Sequence, residues 1–208
     1  MNRERVTISI KKELLSLVDK KVDGIRLRNR SHAIESLLSS ALGLGGIKDA
    51  IIMAGGEDAI KYIGAIKESL VSLKKIGIDE VIVAVGYLGD KIKKELKDGK
   101  EFGVKLSYLE NAEGSGGVLH LLRNALKKTF IIINVNEKLD VDLKNLVEFH
   151  RNSNSYVTLA TNDIKTYRGV YILEPEIMGY IPKGFSMLED DIFPKLLNEH
   201  KLTIYPVI

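Results

Sequence analysis

Glu80-Val81-Ile82-Val83-Ala84-Val85 is the stretch from which the architecture of most of the chain follows. A short apolar run rich in β-branched residues reads as a strand. A helical pattern over 62–75 precedes it, with Gly77 between them, and a second over 90–96 follows. The alternation continues in both directions. Strands are expected at 50–54, 104–110, 130–134, 156–160 and 170–173, and helices at 117–126, 143–151 and 192–199. This βαβ rhythm predicts an α/β domain over 47–208, with a mainly parallel, Rossmann-like sheet and helices on both faces.

Residues 1–46 obey another rule. Arg5-Val6-Thr7-Ile8-Ser9-Ile10 alternates polar and apolar side chains, which predicts a strand with Val6, Ile8 and Ile10 on its buried face. A helix follows over 12–23, with Leu14, Leu15, Val18 and Val22 on one stripe and Gly24 as its stop. Asn29 is placed to cap a second helix over 30–42, whose apolar face is Ile34, Leu37, Leu38, Ala41 and Leu42. Gly43, Gly45 and Gly46 read as a hinge. One strand and two short helices cannot complete a ladder or bury a core alone. A second copy is therefore expected, pairing its strand antiparallel with the first.

Composition narrows the functions. The 208 residues contain no cysteine, which excludes disulfides, thiol catalysis and Cys-ligated zinc. Abundant Ile, Lys and Glu without glutamine or tryptophan fit a thermophilic source. No apolar stretch is long enough for a membrane span or a secretory signal, so a cytoplasmic, nucleoid-associated protein without a membrane partner is expected. Residues 1–46 hold nine Lys/Arg against five acids, a charge of +4, while the other 162 hold 22 against 23, a charge of −1. An excess confined to one segment points to a polyanion there, although a solvated basic face has the same composition.

The N-terminal phrases RVTISIKKELLSLVDKKV (5–22) and NRSHAIESLLSSAL (29–42) resemble the ribbon-helix-helix repressors. The resemblance implies an α+β domain that binds double-stranded DNA as a homodimer, with a dimer of dimers as an extension. Arg5, Thr7 and Ser9 would face the major groove. The backbone at Asn29, Arg30 and Ser31 would clamp a phosphate, and Arg3 would add a contact.

The C-terminal phrases AIIMAGG (50–56), GIDEVIVAVGYLGDKIKKEL (77–96), DGKEFGVKLSYLE (98–110), LVEFHRNSN (146–154), GVYILEPEIMGYIP (169–182) and FSMLEDDIFPKLLNEHKL (185–202) resemble the sugar-phosphate nucleotidyltransferases. That family joins a nucleoside triphosphate to a sugar 1-phosphate. Its glycine-rich signature departs here, because Gly55-Gly56 is followed by Glu57-Asp58-Ala59-Ile60 where the family continues with Gly-Thr-Arg. The segment carrying the family's catalytic lysine and the later Glu-Lys-Pro segment are missing. Val135-Asn136 stands where the family has the acid that holds Mg²⁺.

Gly55 and Gly56 remain as candidate ligand residues, and Gly114-Ser115-Gly116-Gly117 stands where the family holds base and sugar. The latter run reads equally as a tight strand-to-helix turn. His32, His120, His150 and His200 have no metal-ligand spacing, and His150 reads as a surface or capping residue. Asp140 and Asp142 read as caps of the helix from Leu143.

These readings favour a dimeric DNA-binding transcriptional regulator. Its nucleotidyltransferase-like domain would be catalytically inactive, without cofactor or metal, and would associate or sense a nucleotide or nucleotide-sugar effector. The alternatives are a sugar-phosphate nucleotidyltransferase with residual activity and a protein-interaction scaffold.

Overall fold

A computed structural model describes residues 4–22, 24, 27–41, 46–56, 59–87, 89–110, 112–135, 141–153, 155–161 and 165–207. Arg3, Gly43, Gly45, Glu57, Asp58, Asn136 and Asp140 lie outside the described residues. The chain divides into two compact units, Met1–Gly46 and Ile47–Ile208.

The first unit contains helices α1 (Lys12–Asp19) and α2 (Arg30–Ala41). Asn29 caps α2, its Oδ1 accepting from the His32 N–H at 2.9 Å. The two helices are joined by a bidentate pair, in which Arg30 Nε and Nη2 donate to the Asp19 carboxylate at 2.7 and 2.8 Å. The strand expected over Arg5–Ile10 does not form. A strand exists through its neighbour's hydrogen bonds, and no neighbouring strand is present among the described residues of one chain. Val6 and Ile8 accordingly stand 70% and 57% exposed. Helix α1 also ends before the predicted limit, at Asp19.

The second unit is built on a sheet of seven strands: β1 (Asp49–Ala54), β2 (Glu80–Val85), β3 (Lys105–Leu109), β4 (Phe130–Asn134), β5 (Val157–Thr161), β6 (Val170–Leu173) and β7 (Leu202–Pro206). Their order is β3-β2-β1-β4-β6-β5-β7. All run in one direction except β6, which is antiparallel to both neighbours. The connecting helices are α3 (Ile63–Lys75), α4 (Gly89–Leu96), α5 (Gly114–Leu122), α6 (Leu143–Asn152) and α7 (Phe193–Asn198).

Period-two alternation divides each strand between two cores. Ala50, Ile52 and Ala54 of β1 join Ile66 and Leu70 of α3, Ile92 of α4 and Leu146 of α6. Ile51 and Met53 join Val118 and Leu119 of α5 and Phe193 and Leu196 of α7. With both faces covered, the strands read in sequence as unbroken apolar runs. The mixed α/β fold with a mostly parallel sheet agrees with the sequence expectation. Helix α5 starts at Gly114, three residues before its expected start, and β7 was not anticipated.

Candidate functional site

From β1 the chain moves to β2 on one side, and from β3 it returns across β1 to β4 on the other. The carboxyl ends of β1 and β4 therefore lie at a topological switch point, where α/β sheets open a crevice. The β1 end carries Gly55 and Gly56, both exposed. Gly86, just beyond β2, has no room for a side chain, because a Cβ there would lie 2.2 Å from the Gly55 carbonyl oxygen. The two turns thus meet backbone to backbone.

Helix α5 opens at the same end of the sheet. Gly114 takes φ +79°, in the left-handed region. The Gly116 N–H donates to the Ser186 carbonyl at 2.8 Å, and the Ser186 N–H donates to the Glu113 carbonyl at 3.2 Å. This crossing is tight enough that a Cβ on Gly116 would fall 2.1 Å from Ser186 Oγ. A Cβ on Gly114 would fall 2.4 Å from the Ser186 carbonyl oxygen. Close approach of the Ser186 segment accounts for these two glycines without a ligand.

Glu189 lies beneath, 3% exposed. Its carboxylate accepts from Ser115 Oγ at 2.7 Å, Tyr171 OH at 2.8 Å and Asn134 Nδ2 at 3.3 Å. Ser115 Oγ in turn accepts from the Leu188 N–H at 2.8 Å. Burial, and then the neighbouring Glu189 charge, push the Tyr171 hydroxyl well above the usual tyrosine range, so it remains a donor. The network ties the glycine-rich start of α5 to the ends of β4 and β6. Sequence reading found Ser115 but not Glu189, Tyr171 or Ser186. The available signal was the phrase over 185–202, in which Glu189 sits.

Among the described residues, those at the end of β4 offer no carboxylate oxygen that is not already hydrogen-bonded. Among the described residues no three His, Cys, Asp or Glu side chains converge. Both oxygens of Glu189 already accept from neutral donors, and the Asn134 amide presents its N–H₂ to that carboxylate.

The other sequence-predicted residues lie in the first unit. Arg5, Thr7, Ser9, Asn29, Arg30 and Ser31 are all exposed, with the Arg30 guanidinium occupied by Asp19. His150 is no surface residue. It is 3% exposed, with Nδ1 2.7 Å from Thr158 Oγ1 and Nε2 3.1 Å from Glu174 Oε1. Asp142 caps α6, accepting from the Lys144 and Asn145 N–H groups at 2.9 and 3.1 Å. No described helix is long and apolar enough to cross a membrane.

No protein-family model matches the chain. A UTP–glucose-1-phosphate uridylyltransferase from Synechocystis is 27% identical over 175 residues, covering 61% of this chain and 45% of that protein. The catalytic subunit beta of mannose-1-phosphate guanylyltransferase from Xenopus tropicalis is 24% identical over 168 residues, covering 63% of this chain and 47% of that protein. The chain thus spans about half the length of these relatives. Among solved structures, HddC from Yersinia pseudotuberculosis superposes with a TM-score of 0.61 at 17% identity, covering 77% of this chain and 90% of HddC.

These findings correct the functional expectation. A DNA-binding transcriptional regulator with an inactive C-terminal domain is overturned, because the relatives carry enzyme names and the similarity extends over more than half the chain. Nothing in the structure supports a DNA partner, nucleoid association or a ribbon-helix-helix domain, whose defining ribbon is absent from the described residues. The sheet order, the crevice and these similarities together make Ile47–Ile208 a nucleotidyltransferase-like domain.

Proposed function

We propose that this chain is a sugar-phosphate nucleotidyltransferase with residual activity, working at the carboxyl ends of β1 and β4. The observation that carries the reading is the crevice itself. An exposed Gly55-Gly56 turn faces the switch point, while Ser115 at the head of α5 is fixed by buried Glu189. Glycine backbone and helix N–H groups suit phosphate oxygens. Gly55 and Gly56 are assigned to phosphate contact, while Gly114, Ser115, Gly116 and Gly117 are assigned to the wall beside the ligand, its shape set by the packing of Gly114 and Gly116 against Ser186. In the reaction, a phosphate oxygen of the sugar phosphate attacks the α-phosphorus of a nucleoside triphosphate. The α–β bond breaks and pyrophosphate leaves with its electron pair. The departures at 57–60 remove glycine and arginine from the signature, which is why turnover is expected to be slow.

Residues 1–46 are assigned as a head that pairs two copies of the chain. Exposed Val6 and Ile8 support this reading, since an alternating segment gains both a ladder and a core from a second copy.

The test is pyrophosphate release by the full-length protein given UTP with glucose 1-phosphate and GTP with mannose 1-phosphate. Slow release that depends on both substrates is expected, and Ser115→Ala should lower it. No release above an enzyme-free control with any pair would overturn the reading.

A further inference from the structure

We propose that residues 182–186 form a strap that closes the head of α5, and that this strap lifts when a nucleoside triphosphate binds. The inference rests on the nucleotide-binding reading above and adds a control to the same site. The N–H groups in the first turn of a helix have no partners within the helix, so they are open to outside acceptors. At α5 one of them is already taken, because the Gly116 N–H donates to the Ser186 carbonyl at 2.8 Å. The strap thus occupies a donor that a ligand oxygen at this wall would otherwise use.

Little holds the strap down between its two ends. Pro182, Lys183, Gly184 and Phe185 are exposed, and within 182–186 Ser186 alone is buried. Lifting therefore uncovers little apolar surface. The ends are firm. Before the strap, Arg123 Nη2 donates to the Met178 and Ile181 carbonyls at 2.9 and 2.8 Å. After it, the Met187 N–H donates to the Asp191 carboxylate and the Leu188 N–H to Ser115 Oγ, both at 2.8 Å. Between these anchors Gly184 takes φ +85°, and a Cβ there would meet only Glu113 Oε2 among the described residues, at 3.8 Å. Glycine is required there by the turn, not by packing.

The closed position also leaves polar atoms stranded. Ser186 Oγ, His120 Nδ1 and Arg123 Nε are buried without a hydrogen-bond partner among the described residues. His120 and Arg123 follow Gly116 by four and seven residues, so these positions share one face of α5. That is the face met by Ser186 at Gly116 and by the Met178 and Ile181 carbonyls at Arg123. A buried polar atom without a partner is destabilising, and lifting returns Ser186 Oγ to water. Two backbone bonds are given up, Gly116 N–H to Ser186 and Ser186 N–H to Glu113. A ligand oxygen replaces the first of them. A ligand that gains the Gly116 N–H only in the lifted state shifts the equilibrium toward that state.

Amide hydrogen exchange on the full-length protein tests this, with UTP and GTP as probes and titration calorimetry to establish that they bind. A bound triphosphate should speed exchange at Ser186, whose N–H leaves the Glu113 carbonyl, while the Gly116 amide stays protected by its new partner. Gly184→Ala supplies a second readout. A side chain at φ +85° strains the closed turn, and lifting relaxes it, so the variant should bind triphosphate about fivefold more tightly than wild type. Damage to the fold would move affinity the other way. Exchange at Ser186 that slows or stays unchanged in the bound wild type would overturn the proposal, as would a Gly184→Ala protein that binds no more tightly. Either outcome leaves the nucleotidyltransferase reading standing. A wild type that binds neither triphosphate would remove that reading and this inference together.

Discussion

Glu189 is a buried acid surrounded by neutral donors rather than by a cation. Such a group tolerates burial only while its acceptor sites are filled. Tyr171→Phe deletes one donor from a hydroxyl that is itself fully buried. It should cost about 1–3 kcal/mol in urea denaturation, because the desolvated carboxylate keeps its burial and loses a partner. An unchanged midpoint would mean that the remaining donors suffice. Glu174 gives a pH-dependent case. The hydrogen bond from His150, followed by that from Thr129, holds its carboxyl below the usual carboxylate range. A depressed folded-state value contributes stability above the unfolded value of about 4.3 and loses it as pH falls through the folded one. Melting curves from pH 6 downward should therefore fall less steeply in Glu174→Gln than in wild type. Parallel curves would remove Glu174 from the acid transition.

The head of α5 is an element whose glycines serve packing before any ligand arrives. Gly116→Ala would place a methyl group 2.1 Å from Ser186 Oγ and 3.0 Å from Ser186 Cβ. The Ser186 segment must then shift and strain its bond to the Gly116 N–H, for a loss of about 1–3 kcal/mol. Ser186 Oγ is buried and has no hydrogen-bond partner. Ser186→Ala alone should therefore be close to neutral, and in the double variant it should restore part of the Gly116→Ala loss. Additive losses in denaturant midpoints would show that the methyl meets something other than Ser186. The sequence made the β1–β4 strands legible because burial on both faces leaves uninterrupted apolar runs, and Asn29 and Asp142 legible because caps are local. The reversed direction of β6 was not legible, since a strand's own residues do not record its neighbour's direction. Glu189 was hidden for a related reason: its partner Ser115 is 74 residues away. Burial of His150 depends likewise on Thr158 and Glu174, which belong to other elements.

For the whole chain the open question is what completes the first unit. Its buried apolar side chains among the described residues are Val18 and Ala33, whereas Val6, Ile8, Leu14, Leu17 and Leu38 are each more than half exposed. Forty-six residues with so little covered are marginal alone. The nucleotidyltransferase-like unit needs no such help, since both faces of its sheet are already buried. Self-association through residues 1–46 is therefore expected to be separable from the fold of the rest. Sedimentation equilibrium should give a dimer for the wild type. Val6→Asp with Ile8→Asp should shift it to monomer, because aspartates on the pairing face would be buried without partners. The melting transition of the second unit should not move. Salt supplies an independent check. Each head carries +4, so pairing two heads brings like charges together, and raising ionic strength should tighten the dimer by screening them. A wild type that remains monomeric, or a double variant that still dimerises, would place the exposed residues of the first unit against some other surface.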